Sequence, residues 1–378
     1  MGKPRRRYEI DRPDLDRMAE DLVSRAAEVY GSQGSADFAR QIIVTALRLL
    51  RDGAEESDVK LLNSALKELR HSFRVFAPYE HLRKVAVFGS ARTQPDEPAW
   101  QQAFAFAERI ARAGWMVITG AGSGIMAAAQ GGAGREASFG VNIRLPFEQS
   151  ANQVIAGDHK LINFRYFFTR KVVFVKESHA IALFPGGFGT HDEGFEALTL
   201  IQTGKSPIMP VVFVDAPGGS YWRDWQEWVR SHLAEHRLIS ERDSSLFRVT
   251  DDVDVAVHEI LNFYSNYHSC RYVADRLVLR LRQAPSPEQL DALNRDFADL
   301  LASGAIEVSG PLAQEGGEFP QLARLTLRFN HREMGPLRAL IDVVNGYVMA
   351  SAPPPRDAGP VQLVEQSLPP EAERDEQA

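Results

Sequence analysis

The sequence predicts an α/β protein built on a doubly wound parallel sheet, and three observations predict it. Short, almost wholly apolar segments alternate with helical patterns through the middle of the chain, which is typical of strands buried on both faces. Glycine-rich turns follow several of these segments, where a strand would pass into a helix. The spacing of apolar residues differs at both ends of the chain, which predicts a helical N-terminal extension and a small C-terminal α+β unit.

The 378 residues are enough for two or three compact units. We predict a helical extension, an α/β domain, a small α+β unit and a tail that is disordered because it carries six prolines and few large apolar residues. The predicted boundaries are 1–81, 82–265, 266–350 and 351–378.

The first 12 residues are basic, and we expect them to be poorly ordered. Apolar residues then recur at helical spacing, as in Ile42, Ile43, Ala46, Leu49 and Leu50. Three helices are predicted before the sheet, at Pro13–Tyr30, Ala36–Arg51 and Ser57–Phe76.

The α/β domain begins where short apolar runs replace the helical pattern. Strands are predicted at Val85–Phe88, Trp115–Thr119, Phe139–Ile143, Ala180–Phe184 and Ile208–Val214. Between and after them, helices are predicted at Trp100–Ala113, in the small residues after Gly124, and at Phe167–Glu177, Glu193–Thr203 and Tyr221–His236.

The C-terminal unit begins with a strand in which Leu277, Leu279 and Leu281 alternate with other residues. A helix follows, with Ser286 as its N-cap, Pro287 at its first position and Gln289 closing a capping box. We expect this helix to end before Gly304. The remaining elements are strands near Ile306–Val308 and Leu322–Phe329 and a helix at Pro336–Val344.

Composition excludes several classes of protein. The net charge of -7 argues against a nucleic-acid binder, and Cys270 is the only cysteine, so an internal disulfide is impossible. There is no apolar signal segment and no apolar run of the roughly 20 residues that span a bilayer. We therefore expect a cytoplasmic protein with no nucleic-acid or membrane partner.

The run from Pro185 to Glu193, Pro-Gly-Gly-Phe-Gly-Thr-His-Asp-Glu, is the most informative stretch. It joins an apolar strand to an amphipathic helix. Glycines in such a turn let backbone N–H groups approach an anion, and the helix dipole adds to the attraction. The run therefore predicts a phosphate site with the carboxylate of Glu193 beside it.

Two further turns are expected at the same edge of the sheet, Gly89–Arg92 and Gly120–Met126. A fourth, Ala216–Gly219, reads as a plain surface turn. The second turn is not a dinucleotide fingerprint, because Ile125 stands where a third glycine would be needed. No stretch matches the P-loop pattern. A mononucleotide or a sugar phosphate therefore suits these loops better than a nicotinamide cofactor or a triphosphate.

A purely structural interpretation of the run is also open. Thr190 and Glu193 have the spacing of a capping box, and Pro-Gly-Gly is common in turns. Arg170 and Lys171, on the preceding helix, could be a solvated face. Their position just ahead of the strand that leads into the run, among Phe and Val residues, favours a functional role.

Together these motifs resemble the signature of the LOG ("lonely guy") family, the nucleoside 5′-monophosphate phosphoribohydrolases often labelled lysine decarboxylases. The resemblance covers about residues 82–265 and implies a Rossmann-like fold. Where the family often has Met-His-x-Arg-Lys, this chain has Phe-Phe-Thr-Arg-Lys at residues 167–171, which leaves the preferred base open. The flanking units resemble those of longer bacterial nucleotide nucleosidases of the same superfamily.

The resemblance implies hydrolysis of the N-glycosidic bond of AMP or a cytokinin ribotide, without metal or cofactor. Glu193 would stabilise the positive charge on the sugar, and Arg170 would hold the ribose or phosphate and keep Glu193 ionised. The implied binding residues are Gly89, Ser90, Gly120, Gly122, Ser123, Gly124, Met126, Lys171, Gly186, Gly187, Gly189 and Thr190.

Other functions remain open at this point. A related fold carries nucleotide-like ligands such as the molybdenum cofactor without hydrolysing them. A decarboxylase would need a pyridoxal-phosphate lysine, for which Lys171 is the candidate. The family resemblance also implies a homo-oligomer, a dimer or higher. The arginines at 280, 282, 324 and 328 form either a solvated sheet face or a site for an anionic effector.

Overall fold

The computed structural model of the chain describes residues 8–144, 151–332 and 334–348. Contacts divide the chain into two compact units, Met1–Glu68 and Leu69–Ala378. The first unit is helical, as predicted, and α3 begins in it. Its helices are α1 (Pro13–Tyr30), α2 (Ala36–Arg51) and α3 (Glu56–Phe76).

Buried Arg40 stabilises the first unit by joining α2 to its surroundings. Its guanidinium pairs with Asp37 one turn earlier at 3.1 Å and lies 3.7 Å from Glu20 on α1. It also donates to the backbone oxygen of Tyr8 at 2.7 Å. These contacts compensate for the burial of a charge, which would otherwise be costly.

A seven-stranded sheet forms the centre of the second unit, and every pairing in it is parallel. The predicted doubly wound parallel sheet is therefore confirmed. The spatial order is β4-β3-β2-β1-β5-β6-β7. The strands are β1 (Lys84–Phe88), β2 (Met116–Thr119), β3 (Ser138–Ile143), β4 (Leu161–Phe164), β5 (Ala180–Leu183), β6 (Val211–Val214) and β7 (Arg248–Thr250).

The strand order reverses between β1 and β5. The chain builds the sheet outward from β1 to β4, then returns and adds β5, β6 and β7 on the other side of β1. In open α/β sheets a crevice forms at this switch point, outside the carboxyl ends of the strands, and ligands bind there. The ends of β1 and β5 flank that crevice.

Helices pack on this sheet through an apolar core. Two of them approach very closely, because a Cβ atom at Gly132 on α5 would lie 2.1 Å from the backbone oxygen of Phe104 on α4. The helices are α4 (Pro98–Arg112), α5 (Ile125–Ala133), α6 (Phe167–Glu177), α7 (Phe188–Gln202), α8 (Tyr221–Trp228), which continues as a π-helical segment over Val229–Ala234, and α9 (Val253–Phe263).

The start of α7 corrects a prediction. The helix begins at Phe188, five residues before the expected Glu193, and its N-cap is Gly187, without a side-chain capping hydrogen bond. Thr190 therefore lies inside the first turn, and the capping-box interpretation of Thr190 and Glu193 is wrong. The cause is the run of small residues, because glycine also serves as an N-cap and the helix can start earlier.

The C-terminal part forms a four-stranded antiparallel sheet in the order β10-β11-β9-β8. The predicted capping box is confirmed, since Ser286 Oγ accepts from the Gln289 N–H at 3.3 Å and Gln289 Oε1 accepts from the Ser286 N–H at 2.8 Å. The elements are β8 (Tyr267–Val273), β9 (Arg276–Leu281), α10 (Pro287–Asp296), β10 (Leu301–Ser309), β11 (Ala323–Phe329) and α11 (Met334–Asn345).

Gly304 does not end the helix that precedes it. That helix, α10, ends at Asp296, and Gly304 lies within β10 with a φ of +78°. The register between β10 and β11 shifts on either side of Ser303. A glycine with positive φ suits such an irregularity, because it bends the strand without steric cost.

Two of the C-terminal arginines are buried rather than solvated, so the predicted solvated face is wrong for them. Arg280 and Arg324 both pair with the buried Glu315, at 2.7 Å and 2.9 Å. Burial acts to raise the pKa of Glu315, but its bonds to Arg324, to the Leu312 N–H and to Arg280 lower it to about 2. Arg280 also pairs with Glu318 at 2.9 Å, so both cations have carboxylate partners within the chain.

Asn345, the last residue of α11, holds the connection between α9 and β8. Its amide nitrogen donates to the backbone oxygen of Phe263 at the end of α9, at 2.7 Å. Its amide oxygen accepts from the backbone N–H groups of Asn266 and Tyr267, at 3.1 Å and 2.8 Å. The side chain is buried, so its three bonds satisfy backbone groups that water does not reach.

The predicted disordered tail, 351–378, lies outside the described residues, as do residues 1–7 of the basic N-terminus. Within the described ranges, every helix is too short or too polar to cross a membrane.

Candidate functional site

Three glycine-rich turns meet at the switch point, as the sequence predicts. Ser90, in the turn after β1, donates its N–H to the backbone oxygen of Pro185, after β5, at 3.0 Å. The backbone oxygen of the same Ser90 accepts from the N–H of Ile125, after β2, at 2.9 Å. The first turn therefore holds the other two in a fixed relation.

Close approach explains two of the glycines in these turns. A Cβ at Gly186 would lie 2.2 Å from Thr190 Oγ1 and 2.9 Å from the Ser90 nitrogen. Gly124 has a φ of +63°, and a Cβ there would lie 2.2 Å from the Ser90 oxygen. Any side chain at either position would push the turns apart.

The opposite side of the Pro185–Glu193 run is open. A Cβ at Gly187 or Gly189 would meet no described heavy atom within 4 Å. The first N–H groups of α7 start at this place, and such groups have no acceptor within their own helix. An anion can therefore approach the backbone here and gain from the helix dipole.

Arg170 on α6 and Glu193 on α7 form an ion pair beside the turns, with Nη2 and Oε1 3.2 Å apart. Both side chains are largely buried, at 14% and 6% exposure. Arg170 also borders the second turn, because a Cβ at Gly120 would lie 3.6 Å from its Nη1 atom. The structure thus brings the two predicted catalytic residues together.

The electrostatics of Glu193 correct one expectation. Burial raises the pKa of Glu193 to about 7, although Arg170 and Lys171 act in the opposite direction. Arg170 favours the ionised carboxylate, as predicted, but burial outweighs it, so Glu193 is only partly ionised at neutral pH. A carboxyl group with a pKa near the working pH can both accept and return a proton, which is what general acid–base chemistry needs.

Lys171 is engaged by α7. Its ammonium lies 2.8 Å from a carboxylate oxygen of Asp192 and 2.8 Å from one of Glu196. Burial acts to lower the pKa of Lys171, but the bonds to the two carboxylates outweigh burial and raise it. Lys171 therefore clamps α6 to α7, and its predicted contact with phosphate stays a prediction.

The other predicted binding residues also line these turns. Ser123 Oγ donates to the backbone oxygen of Ala91 at 2.7 Å, so it connects the first and second turns. Met126 packs against the second turn, since Cβ atoms at Gly120 and Gly122 would lie 2.8 Å and 2.7 Å from its side chain. A Cβ at Gly89 would lie 2.6 Å from Ile125.

Three residues that support the turns were not predicted. Tyr221, at the start of α8, donates its hydroxyl to the backbone oxygen of Gly186, and His191 lies 2.7 Å from that hydroxyl. Asn152 donates to the oxygen of Gly122 at 2.9 Å, and its N–H donates to Ala121. A polar aromatic residue right after the fourth turn was the available signal for Tyr221, whereas the sequence held no signal for Asn152.

Exposed aromatic rings border the site. Phe167 is half exposed, and the guanidinium of Arg170 lies 5.2 Å from its ring centre. Phe188, within the glycine run, is 96% exposed. An apolar side chain exposed to this degree beside a polar site offers a flat face for a planar ligand.

No group of three or more His, Cys, Asp or Glu side chains placed to hold a metal ion occurs within residues 8–144, 151–332 and 334–348. What the site offers instead is a turn suited to an anion, a buried carboxyl group, a guanidinium and exposed aromatic rings.

Comparison with known proteins finds similarity over part of the chain. Residues 123–260 match the sequence family described as "possible lysine decarboxylase", which is just over a third of the chain. No curated protein matches this chain.

Two similar solved structures are molybdenum cofactor proteins. The carrier protein from Chlamydomonas reinhardtii is 22% identical, with 47% of this chain and 94% of that one covered and a TM-score of 0.34. The binding protein from Rippkaea orientalis is 16% identical, with 47% and 94% covered and a TM-score of 0.33. The segment that holds Arg170, Lys171 and the run from Pro185 to Glu193 is thus similar to the matched family.

Proposed function

We propose that this protein hydrolyses the N-glycosidic bond of nucleoside 5′-monophosphates, giving a free base and ribose 5-phosphate. One observation carries the proposal. A buried carboxyl group with a pKa of about 7, that of Glu193, is paired with Arg170 beside a turn that is open to an anion. This combination provides a binding site for the 5′-phosphate at one end of the ribose 5-phosphate and a carboxyl group for the anomeric carbon at the other end.

The 5′-phosphate would bind at the glycine run. Backbone N–H groups at the start of α7 and the hydroxyl of Thr190 are the donors, and the helix dipole favours the dianion. A Cβ at Gly187 or Gly189 would meet no described heavy atom within 4 Å, so a phosphate can approach the backbone N–H groups there.

Glu193 would act at the anomeric carbon. As the bond to the base breaks, positive charge develops on the ribose, and an ionised carboxylate beside the ring stabilises it. Glu193 then takes a proton from the attacking water, whose oxygen bonds to the anomeric carbon. The base leaves with the bonding electron pair and takes up the proton that Glu193 gives back, so that one proton of the water ends on the base and the ionised carboxylate is restored. The raised pKa of Glu193 favours that proton transfer near neutral pH.

Arg170 would hold the substrate and position Glu193. Its guanidinium reaches both the carboxylate and the border of the second turn, so it can donate to ribose or phosphate oxygens without leaving Glu193. The exposed faces of Phe167 and Phe188 are available for the base.

A pyridoxal-phosphate decarboxylase is disfavoured by the state of Lys171. A lysine that forms a Schiff base needs a depressed pKa, whereas the carboxylates of Asp192 and Glu196 raise the pKa of Lys171. Burial lowers the pKa of another lysine, Lys84, to about 8, but Lys84 begins β1, at the opposite edge of the sheet from the turns.

The test is base release from a panel of AMP, GMP, CMP, UMP, a cytokinin ribotide and adenosine. We expect free base from one or more monophosphates and none from adenosine. Glu193→Gln should retain nucleotide binding but lose roughly 10²–10³ in kcat, because it cannot carry the negative charge. Glu177→Gln, a buried glutamate at the other end of α6, is the matched control and should turn over normally.

Two results would contradict the proposal. If Glu193→Gln released base as fast as the unmodified protein, Glu193 would have no part in the reaction. Tight binding of a monophosphate without any base release would instead indicate a carrier of nucleotides or of the molybdenum cofactor.

A further inference from the structure

We propose that Tyr221 is a positioning residue for the phosphate-binding turn and that His191 fixes its hydroxyl. This inference deepens the proposed function, on which it rests, because it concerns the same turn. Under this inference, selectivity for a phosphomonoester over the corresponding nucleoside depends on the hydroxyl group of Tyr221, which lies outside the run from Pro185 to Glu193.

A chain of two hydrogen bonds leads from His191 to the turn. The hydroxyl of Tyr221 donates to the backbone oxygen of Gly186 at 2.5 Å, and Nε2 of His191 lies 2.7 Å from the same hydroxyl oxygen. A phenol has one proton to donate, so the bond to Gly186 requires His191 to be the donor in the second bond. Burial lowers the pKa of His191, which fits a neutral imidazole that carries its proton on Nε2.

Both carbonyl groups at the start of the run are thereby anchored. Pro185 accepts from the Ser90 N–H at 3.0 Å, and Gly186 accepts from Tyr221. In a planar trans peptide the C=O and the following N–H point in opposite directions. Because these two oxygens are held by Ser90 and Tyr221, the N–H groups of Gly186 and Gly187 point away from Ser90 and Tyr221. The two carbonyl oxygens, which carry partial negative charge, are also kept from facing a phosphate.

Tyr221 stands on a rigid support. The next residue, Trp222, is fully buried, and its N–H donates to the carboxylate of Asp215 at the end of β6, at 2.9 Å. The ring of Trp222 packs edge-on to Phe213, with ring centres 4.7 Å apart, and lies 5.3 Å from the ring of His191. The start of α8 is thus fixed to the core, and the tyrosine hydroxyl is presented to the turn at a set distance.

The decisive variant is Tyr221→Phe, which removes only the hydroxyl. Calorimetric titration with AMP, ribose 5-phosphate and adenosine should show roughly 10-fold weaker binding of the two phosphomonoesters, as expected for one lost hydrogen bond to the binding turn. Binding of adenosine and the midpoint of thermal unfolding should not change. Where base release is measured, KM for AMP should rise with kcat nearly constant.

The chain offers a matched control. Tyr79 and His159 form a similar pair, 3.0 Å apart, beside Phe139 at the opposite edge of the sheet. Tyr79→Phe should bind AMP like the unmodified protein. His191→Leu, which removes the second donor, should weaken binding of the same two phosphomonoesters several-fold and supports the inference even if Tyr221→Phe folds poorly.

The outcomes separate the inference from the proposed function. Unchanged affinity of Tyr221→Phe for AMP and ribose 5-phosphate overturns the positioning role, even if base release is confirmed. Selective weakening of phosphomonoester binding supports the role, even if no base is ever released. If Tyr221→Phe weakened the binding of adenosine and AMP equally, the positioning role would also be overturned, because the hydroxyl would then affect the whole site and not the phosphate-binding turn alone.

Discussion

Glu193 shows how two opposing effects set the state of one residue. Its carboxyl group is buried, which favours the neutral form, and it lies 3.2 Å from a guanidinium, which favours the ionised form. Burial wins, and the pKa rises to about 7. A pair that looks like a simple salt bridge is therefore a proton-exchanging group near neutral pH.

This balance predicts the pH dependence of the reaction. In the proposed reaction the ionised form of Glu193 is the active one, so kcat/KM for AMP should rise with pH, with a midpoint near pH 7. In Arg170→Gln the cation that opposes burial is gone, so the midpoint should move to higher pH while kcat/KM falls. The measurement is kcat/KM from pH 5 to 9 for both proteins.

The comparison of the two profiles also removes the substrate's own titration, because the phosphate of free AMP ionises identically in both experiments. Coincident midpoints, or a midpoint near the ordinary glutamate value, would show that burial of Glu193 does not control the reaction.

Sequence motifs located this residue pair but could not reveal its ionisation. The spacing from Arg170 to Glu193 is a local pattern, and it identified two side chains that the structure places in contact. The pKa of Glu193 depends on how α6, α7 and the turns close around it, which no local pattern contains. The position of Tyr221 after the fourth turn was a local signal, but its contact with Gly186, 35 residues away, could not be predicted from it.

At the scale of elements, two glycines in the turn after β5 have different structural roles. Gly186 is enclosed by Thr190 and Ser90, whereas Gly189 faces open space within the first turn of α7. The first allows the turns to meet, and the second leaves room above the helix start.

Alanine substitutions at Gly186 and Gly189 should have different effects on the free energy of unfolding. Gly186→Ala forces its methyl group against Thr190 and the Ser90 backbone, so the free energy of unfolding should fall by about 1–3 kcal/mol. The methyl group of Gly189→Ala meets none of the described residues and alanine favours the helix, so stability should be unchanged or rise by up to about 1 kcal/mol. Urea unfolding of both variants checks this, and equal losses would show that crowding at residue 186 is not decisive.

The sequence did not predict α9, β8 or two short strands at the edges of the seven-stranded sheet. The strand β7 has three residues, and β4 has four, of which Asn163 is exposed. Both flank the sheet on its outer sides, where burial on two faces is incomplete and the apolar signal is weak. By contrast, the predicted bounds of α1, α2 and α6 agree with the structure, because their apolar spacing is regular over many residues.

At the scale of the whole molecule, the alternation in β9 and β11 predicted strands but not what covers them. Arg280 and Arg324 alternate with leucines, which usually indicates a face in water. Here the segment that carries Glu315 lies over that face and buries both cations. Coverage of a sheet face depends on a distant segment, so local alternation cannot predict it.

Glu315→Gln should therefore destabilise the native protein. Removing the carboxylate that pairs with both buried arginines should lower the free energy of unfolding at pH 7 by roughly 3–5 kcal/mol. Because the native pKa of Glu315 is about 2, below the unfolded value, the stabilisation is present above about pH 4.5 and is lost as pH falls toward 2. The difference in the free energy of unfolding between Glu315→Gln and the unmodified protein should become smaller as the pH falls through that range.

Glu307→Gln is the matched control on the same sheet. Glu307 pairs with Arg276 at 2.7 Å but is more than half exposed, so its loss should change stability by less than about 1 kcal/mol. Thermal unfolding from pH 3 to 7 measures both variants. If the two substitutions had equal effects, the buried cluster would contribute no more than a surface pair.

The position of β5 between β1 and β6 has a consequence for synthesis. The first turn leaves the ribosome about a hundred residues before the run that it must bond, and α7 comes later still. A growing chain therefore cannot form the proposed nucleotide site until β5 has paired with β1. Any monophosphate that then binds draws newly made molecules toward the native state by mass action, so cellular nucleotide supply would raise the yield of folded protein.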